Sequence, residues 1–184
     1  MPVTSSDVCS SDLQRQRVVI AGALVLEPAV IVADEPVSSL DASVRGEILA
    51  LLLQLRDEFG LTVLVVTHDL GLAWNIADRI AVMYLGRIVE VGTTEDVLER
   101  PQHPYTRALL SVVPEIAHVE AVVLAGEPPD PTKIPGGCRF HPRCPALASG
   151  AAAAAGVDAR CRAEPLPVLP PTQGHHAACF LTEQ

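Results

Sequence analysis

The first hundred residues alternate between helical and strand-like patterns of apolar side chains. Two short, unbroken apolar runs are typical of parallel strands covered on both faces, and longer segments with apolar residues at helical spacing surround them. The patterns predict helices over residues 14–26, 43–59 and 70–77 and strands over residues 29–33, 61–66, 80–84 and 87–91. Because a strand, a helix and a second strand follow one another closely, the predicted fold class is α/β with a parallel sheet and flanking helices.

Single residues mark several of the predicted boundaries. Pro28 ends the first helix, because proline breaks the helical hydrogen-bond pattern. Asp41 is suited to cap the second helix, and Gly60 stands where a left-handed residue is expected to end it. Gly86, between the last two predicted strands, indicates a hairpin.

Composition changes near residue 100. Thirteen of the 16 prolines and four of the five cysteines follow that point, whereas the preceding region is dense in Val, Ile, Leu and Ala. The apolar content of 49% is enough for a core. Composition therefore separates an α/β part from a loop-rich, Pro/Cys-rich part. The motif resemblance given below implies the boundaries, which are a short N-terminal segment (residues 1–13), the α/β part (14–113) and the loop-rich part (114–184).

The charge balance narrows the expected partners and location. The 22 acidic and 13 basic side chains give a net charge of −9, which disfavours nucleic acid because phosphate binding needs clustered Lys and Arg. The longest apolar stretch, residues 18–33, is interrupted by Glu27 and Pro28, and the first residues lack a signal-peptide pattern. The expected location is therefore the cytoplasm. The single lysine, Lys133, lies outside any glycine-rich phosphate loop.

Polar side chains follow directly after the two predicted buried strands. Asp34 and Glu35 follow the first strand, and His68 follows the second. In open α/β sheets, ligands bind beyond the carboxyl ends of the strands. Two carboxylates after an apolar strand are typical of nucleotide hydrolases, where the first helps to hold Mg²⁺ and the second orients or deprotonates the attacking water. Solvated loop starts would explain either element alone, but both together, with Ser39-Leu40-Asp41 between them, favour a nucleotide site.

Several motifs resemble those of the ATP-binding subunits of ABC transporters. Residues 14–18 are similar to the end of the signature motif, 30–35 to Walker B, 39–41 to the D-loop and 67–69 to the switch-histidine loop. Downstream, residues 103–110 (His-Pro-Tyr-Thr-Arg-Ala-Leu-Leu) and 135–140 (Pro-Gly-Gly-Cys-Arg-Phe) are similar to segments of oligopeptide and dipeptide importers. By itself, His103-Pro104-Tyr105 is more often a turn and a helix start. The implied fold is a partial ABC-type P-loop NTPase domain followed by a peptide-importer C-terminal region.

The resemblance also implies site residues, ligands and partners. Two ATP-binding subunits would sandwich two ATP molecules and would bind transmembrane permease subunits at the inner face of the cell membrane. Asp34 would support Mg²⁺, Glu35 would act as the general base, and His68 would contact the γ-phosphate. The other implied nucleotide-site residues are Ser11 and Gln14, near the ATP of the partner subunit, and Ser39, Leu40 and Asp41, in the loop that couples the two sites.

The chain departs from the family's pattern near its start. It has no phosphate loop, no aromatic residue to stack on adenine and no Gln-containing loop before the signature region. Ser10-Ser11-Asp12-Leu13 stands where Leu-Ser-Gly-Gly is expected, and the charge of Asp12 is unfavourable near phosphate. Residues 1–13 otherwise resemble nothing in the family, which indicates an artificial junction. We therefore expect a truncated fragment that hydrolyses no ATP alone and leaves sheet edges and apolar helix faces uncovered.

Cys138, Cys144, Cys161 and Cys179 have the spacing C-x5-C-x16-C-x17-C. In a cytosolic protein, metal ligation is a more frequent use of four cysteines than disulfide formation. The spacing lacks the close cysteine pairs of structural zinc sites, whereas a [4Fe-4S] cluster accepts dispersed ligands. Zinc and buried thiols without a metal remain alternatives. The resemblance favours the cluster, because some peptide-importer subunits carry one in a similar region.

Three functional hypotheses follow. The first is an ATP-binding and ATP-hydrolysing subunit that energises oligopeptide or dipeptide import, present here as its C-terminal portion. The second is a non-catalytic metal-binding or interaction fragment from a broken gene, which an upstream frame encoding a phosphate loop would exclude. The third is a soluble ABC ATPase of repair or translation, which residues 103–110 and the cysteine-containing region disfavour.

Overall fold

The protein is described by a computed structural model over residues 5–38, 40–113, 122–127, 129–166, 168–170 and 173–182, with the backbone alone at residues 5–11, 42 and 43. The chain divides into two compact units, Met1–Asp69 and Leu70–Gln184. Residues 70–113 thus belong to the same compact unit as the cysteine-containing region. The three-part division at residues 14 and 114 stays a prediction.

The first unit is a short βαβ arrangement preceded by a helix. Strands β1 and β2 pair in parallel, with Val30 opposite Thr62 and Asp34 opposite Val66. The parallel pair and its intervening helix confirm the predicted α/β class. The elements are α1 (Ser5–Leu24), β1 (Val30–Asp34), α2 (Ala42–Phe59) and β2 (Thr62–Val66).

Helix α2 ends as its sequence predicts but begins differently. Gly60 adopts a left-handed conformation (φ 63°), and its N–H donates to the carbonyl oxygen of Arg56. Asp41 occupies the N-cap position with an extended backbone, yet its side chain makes no capping hydrogen bond. The carbonyl group of Asp41 instead accepts from the N–H groups of Val44 and Arg45. The predicted side-chain cap is therefore wrong, while the predicted helix is confirmed.

The strands of the first unit are less covered than their apolar sequences predict. Neither β1 nor β2 contains a buried residue, so the prediction of strands covered on both faces is wrong for these residues. The reason is that two strands with two described helices offer too little neighbouring structure to cover both faces of a parallel sheet. Apolar surface is uncovered, as expected, and its large members in the first unit are Val18, Val19, Val25, Leu26, Val30, Val32, Phe59, Leu64 and Val66.

The second unit is built on a β-hairpin. Leu85 and Gly86 both have positive φ (46° and 72°), as a two-residue turn with a right-handed strand twist requires, and they join Tyr84 to Arg87. The predicted hairpin is thus confirmed. The elements are α3 (Leu70–Ile76), β3 (Arg79–Tyr84), β4 (Arg87–Thr93), α4 (Thr94–Glu99), α5 (Pro104–Leu110), α6 (Pro145–Ala148), α7 (Ala151–Ala154), α8 (Asp158–Ala163) and β5 (His176–Ala177).

Aromatic side chains form the centre of the second unit. Phe140 is 1% exposed and meets Tyr84 edge to face, with ring centroids 5.1 Å apart. Tyr105 lies 5.3 Å from the same ring. Strand β5 pairs antiparallel with β4, which brings the C-terminal segment onto this core. Of the helices that the structure describes, none combines the length and apolar character needed to cross a membrane.

Candidate functional sites

The carboxyl ends of β1 and β2 bring two predicted site residues into contact. Nδ1 of His68 lies 2.6 Å from Oε1 of Glu35, although the two residues are 33 positions apart. The parallel register causes this meeting, because Asp34 and Val66 are partners at the last position of each strand. The N–H of Glu35 also donates to the carbonyl of Val66 at 2.9 Å, which ties the loop after β1 to β2.

Glu35 has an unusual backbone conformation for a residue with a side chain. Its φ is 46°, in the left-handed region where non-glycine residues are uncommon. The following turn supports it, because both the N–H and the hydroxyl of Ser38 donate to the carbonyl of Glu35. Such strain costs about 1–3 kcal/mol and concentrates at functional positions. In this conformation the Glu35 carboxylate contacts His68.

The Glu35 carboxylate also changes the acidity of His68. Its hydrogen bond and its charge raise the pKa of His68 above the ordinary value of 6.5. The carboxylate oxygen only accepts, so Nδ1 of His68 is the donor. Because the His68 side chain is 84% exposed, packing does not hold the ring in place.

The other predicted nucleotide-site residues that the structure describes are Asp34, Leu40, Asp41 and Gln14. Asp34 and Asp41 are exposed, and Leu40 is buried. Gln14 is exposed on α1. The side chain of Ser11 and all of Ser39 lie outside the described residues. Their roles, like those of Glu35 and His68, stay predictions.

Two side chains on helices hold the loops of the first unit in place through contacts that the sequence did not indicate. Nε2 of Gln16, on α1, donates to the carbonyl of Pro36 at 2.8 Å. Nε of Arg45, on α2, donates to the carbonyl of Leu40 at 2.9 Å. Polar side chains on helices are usually solvated, so no local pattern distinguishes them from surface residues.

The four cysteines of the second unit line one cavity. We call it the thiol cavity; its wall also includes His103, Phe140 and His141. The N–H of Cys138 donates to the carbonyl of Cys161 at 2.9 Å, which joins two segments of the chain directly. Gly137 permits this approach, since a Cβ there would lie 2.6 Å from the carbonyl carbon and oxygen of Arg162. The cavity wall consists of Cys138, Cys144, Cys161, Cys179, His103, Pro104, Phe140, His141, Leu147, Ala152, Leu166, Leu181 and Phe180.

Burial favours the protonated form of three of these thiols. It raises the pKa of Cys138 and of Cys179 to about 11, and it also raises the pKa of Cys161. The neighbouring cysteines add to the rise in the pKa of Cys138, because thiolates close together repel one another. A positively charged metal centre would reverse this balance by stabilising the thiolate form.

The same region does not form a single-ion site. Over the residues that the structure describes, no group of three or more His, Cys, Asp or Glu side chains is arranged to hold a metal ion. A zinc site would need all its thiolates at about 2.3 Å from one point. Ligation by the four cysteines therefore stays a prediction, although their predicted convergence on one region is found.

A buried carboxylate organises the wall of the thiol cavity. Glu90, on β4, is 0% exposed. Its two oxygens accept from the backbone N–H groups of Gln102 and His103, both at 2.8 Å. Oε1 also lies 2.7 Å from Nε2 of His175, just before β5. Glu90 thus ties the hairpin to the start of α5 and to the segment that leads to Cys179.

His103 is a buried part of this arrangement. It occupies the N-cap of α5 with Pro104 in the first turn, as expected of a helix start, and it is 1% exposed. Its Nδ1 accepts from the N–H of Tyr105 at 3.0 Å. Burial lowers the pKa of His103 to about 4, against the opposing charge of Glu90. An acidic residue within the apolar run of β4 was the available sequence signal for Glu90.

The comparisons with known proteins agree with the motifs. Residues 89–149 match the family model of the oligopeptide/dipeptide transporter, C-terminal region. The chain is 52% identical over 134 residues to the dipeptide transport ATP-binding protein DppF of Haemophilus influenzae, covering 71% of this chain and 41% of that protein. It is 47% identical over 171 residues to the probable peptide ABC transporter ATP-binding protein y4tS of Sinorhizobium fredii, covering 91% of this chain and 46% of that protein.

A similar solved structure is that of cbiO1 from Clostridium perfringens, which is part of the ABC transporter complex cbiONQ. The sequence identity is 35% and the TM-score is 0.46, and the match covers 58% of this chain and 41% of that chain. The chain spans less than half the length of the curated relatives named above. Within that span, the similarity to ATP-binding proteins of oligopeptide and dipeptide ABC transporters is confirmed.

Proposed function

We propose that this chain, being similar to ATP-binding proteins of peptide ABC transporters, is part of a subunit that hydrolyses ATP to energise oligopeptide or dipeptide import. The observation that carries the proposal is the contact between Glu35 and His68 at the carboxyl edge of two parallel strands, beside Asp34. In phosphoryl transfer, catalysis consists mainly of positioning and charge stabilisation, and this edge supplies groups for both.

Each group has a distinct task in the proposed hydrolysis. Asp34 would hold Mg²⁺, which neutralises charge on the phosphates. Oε1 of Glu35 faces His68, which leaves Oε2 to accept a proton from the attacking water. The exposed His68 ring would turn from Glu35 towards the terminal phosphate, since no packing opposes that motion.

The proposed assembly would supply the phosphate-binding groups that the carboxyl edge of β1 and β2 lacks. A phosphate loop would have to come from residues outside this chain, because the sequence contains no such motif. Gln14 and Ser11 on α1 would approach the ATP of a second ATP-binding subunit. Asp41, with Ser39 and Leu40, would link the two sites. Permease subunits would hold the pair at the cytoplasmic face of the membrane.

The test uses the longer protein with its phosphate loop, reconstituted with the permease subunits. Glu35→Gln should lower ATP hydrolysis and peptide uptake by at least about 10²-fold, the scale of losing a general base, while ATP binding persists. Glu58→Gln, an exposed carboxylate on α2, is the matched control and should leave the rate unchanged. A Glu35→Gln rate within a factor of two of the unaltered protein would exclude Glu35 as the base.

The 184-residue chain itself should hydrolyse no ATP. Without the backbone cradle and the lysine of a phosphate loop, the phosphates are not positioned, and positioning dominates this chemistry. The alternative function, a non-catalytic metal-binding or interaction fragment, predicts the same result for this chain. It differs in predicting that no upstream reading frame encodes a phosphate loop. Turnover by the 184-residue chain that Glu35→Gln abolishes would contradict both.

The thiol cavity supports a second proposal, which concerns the structure of the C-terminal region. We propose that Cys138, Cys144, Cys161 and Cys179 ligate a [4Fe-4S] cluster that holds the C-terminal region together. In such a cluster each thiolate binds a different iron, so the sulfur atoms surround a volume instead of meeting at one point. The four cysteines around one cavity support the proposal, and the cavity, of about 10 Å³, would have to widen to admit the cluster. Iron and sulfide analysis of anaerobically prepared protein tests it, and stoichiometric zinc without iron would contradict it.

A further inference from the structure

The turn that follows β1 begins with a strained residue. Glu35 has a φ of 46°, and the next residue is Pro36. A residue before proline favours extended backbone, because the proline ring crowds its N–H and Cβ. A left-handed glutamate in front of a proline is therefore unfavourable on two counts, and it persists only where surrounding contacts hold it. The position of the Glu35 carboxylate depends on those contacts.

Two neighbouring elements hold this turn through backbone carbonyl groups. On the side of β2, the N–H of Glu35 donates to the carbonyl of Val66 at 2.9 Å. On the side of α1, the side chain of Gln16 donates from Nε2 to the carbonyl of the buried Pro36 at 2.8 Å. A carbonyl oxygen only accepts, so the amide nitrogen of Gln16 is the atom that faces it. Gln16 thus connects α1 to the residue next to Glu35.

Gln16 lies beside the strand edge that carries the proposed chemistry. Gln16, Asp34 and Pro36 line one cavity of about 160 Å³, together with apolar residues of α1 and β1. Gln16 is half-buried, whereas Gln14 and Arg15 before it are exposed. A hydrogen bond in such a partly desolvated place is stronger than one in water, which suits it to oppose backbone strain.

We propose that Gln16 is a positioning residue for the general base: by holding the carbonyl of Pro36, it keeps the Glu35 carboxylate at the carboxyl edge of β1 and β2. The inference rests on the proposed ATP hydrolysis and deepens it, because it assigns a residue that acts through Glu35 without touching the nucleotide. Without the donor, the strained turn would relax towards extended backbone, and Glu35 would lose its contact with His68.

The first test uses the longer protein with its phosphate loop. Gln16→Met keeps the length and the helix propensity of the side chain but removes the donor. It should lower kcat by about 10-fold, because a small displacement of a reacting group is costly, while KM for ATP stays within about a factor of two. Combined with Glu35→Gln, it should cause no further loss, since Gln16 acts through Glu35. Gln54→Met, at an exposed glutamine of α2, is the matched control and should leave kcat unchanged.

The second test needs no activity and uses the 184-residue chain. The hydrogen bond from His68 to Glu35 raises the pKa of His68, so proton NMR of His68 reports whether the contact persists. In Gln16→Met the pKa of His68 should fall towards 6.5 while the circular dichroism stays that of the unaltered chain. Gln16→Glu should lower this pKa too, although its added negative charge alone would raise it. The charges of Asp69 and Arg45, which also act on His68, are the same in all these variants.

The outcomes separate this inference from the proposed function. A loss of kcat in Gln16→Met that adds in full to the loss in Glu35→Gln would overturn the positioning role, and so would an unchanged titration of His68. Gln16→Glu has the shape of the natural side chain and repeats both measurements if Gln16→Met does not fold. Full hydrolysis by Glu35→Gln would overturn the proposed base, and the titration would then still decide whether Gln16 maintains the contact between Glu35 and His68.

Discussion

In residues 1–69 a histidine and a glutamate meet at the surface, whereas in residues 70–184 the same two residue types meet inside a core. Glu35 and His68 lie at an exposed strand edge, and no residue of β1 or β2 is buried. Glu90 is fully buried and contacts His175 and the backbone of His103. Both arrangements pair a glutamate with a histidine, but the first lies at the surface and the second is buried.

This difference indicates that burial determines whether a carboxylate has a chemical or a structural role. At the exposed edge Glu35 raises the pKa of His68, because little desolvation opposes the attraction. Inside the core, desolvation lowers the pKa of His103 in spite of the nearby charge of Glu90. The exposed carboxylate is available to bind and react, and the buried one organises the chain. Four predictions test this contrast.

The largest effect is expected in the aromatic core. Phe140→Ala should lower the free energy of unfolding by about 3–5 kcal/mol, because it removes a buried ring and leaves a cavity. Trp74 and both tyrosines lie in the second unit, so fluorescence during urea unfolding reports on that unit. The matched control is Leu64→Ala on β2, because Leu64 is 54% exposed. Its urea unfolding, followed by far-ultraviolet circular dichroism, should show little loss of stability. Equal effects of the two variants would break the comparison.

The two glutamates should differ next. Glu90→Gln replaces an acceptor of several hydrogen bonds with a group that also donates, and about 3 kcal/mol of stability should be lost, as for a broken buried pair. Glu35→Gln removes a pair near the surface and should shift the urea midpoint much less than Glu90→Gln does. Equal losses of stability in the two variants would show that burial does not separate their roles.

Two glycines with similar backbone angles sharpen the comparison further. Gly137 (φ 65°) faces the backbone of Arg162, whereas Gly60 (φ 63°) faces open space. Alanine at position 60 should cost about 1 kcal/mol from backbone strain alone. Alanine at position 137 should cost about 2–3 kcal/mol, because the backbone of α8 must also move. Thermal unfolding of both variants checks this order, and a costlier Gly60→Ala would contradict the proposed close approach.

The smallest effect is a pair of opposite titrations, measured by proton NMR on protein prepared without iron. His68 should titrate above pH 6.5, and Glu35→Gln should return it towards that value. His103 should stay neutral until about pH 4. Since the folded-state pKa of His68 is raised, its contribution to stability is present below pH 6.5 and is lost as the pH rises through that pKa. Since that of His103 is lowered, stability should fall as the pH drops from 6.5 towards 4. Shifts in the same direction would refute the contrast.

The sequence by itself determined the local features of this protein. The βαβ order, the end of α2 at Gly60 and the hairpin around Gly86 follow from the spacing of apolar residues and from the few residues that tolerate positive φ. The meeting of Glu35 and His68 was also predictable, because parallel strands place their carboxyl ends at one edge.

Only the tertiary structure decided how these features are buried. It leaves β1 and β2 partly uncovered, although their sequences are typical of buried strands. It also gathers Cys138 and Cys179 around one cavity and buries Glu90 beneath the start of α5. Periodicity reports interactions between near neighbours along the chain, whereas burial and convergence depend on packing between segments many residues apart. The tautomer of His103 follows from that packing, because its neighbours determine which ring nitrogen accepts a hydrogen bond.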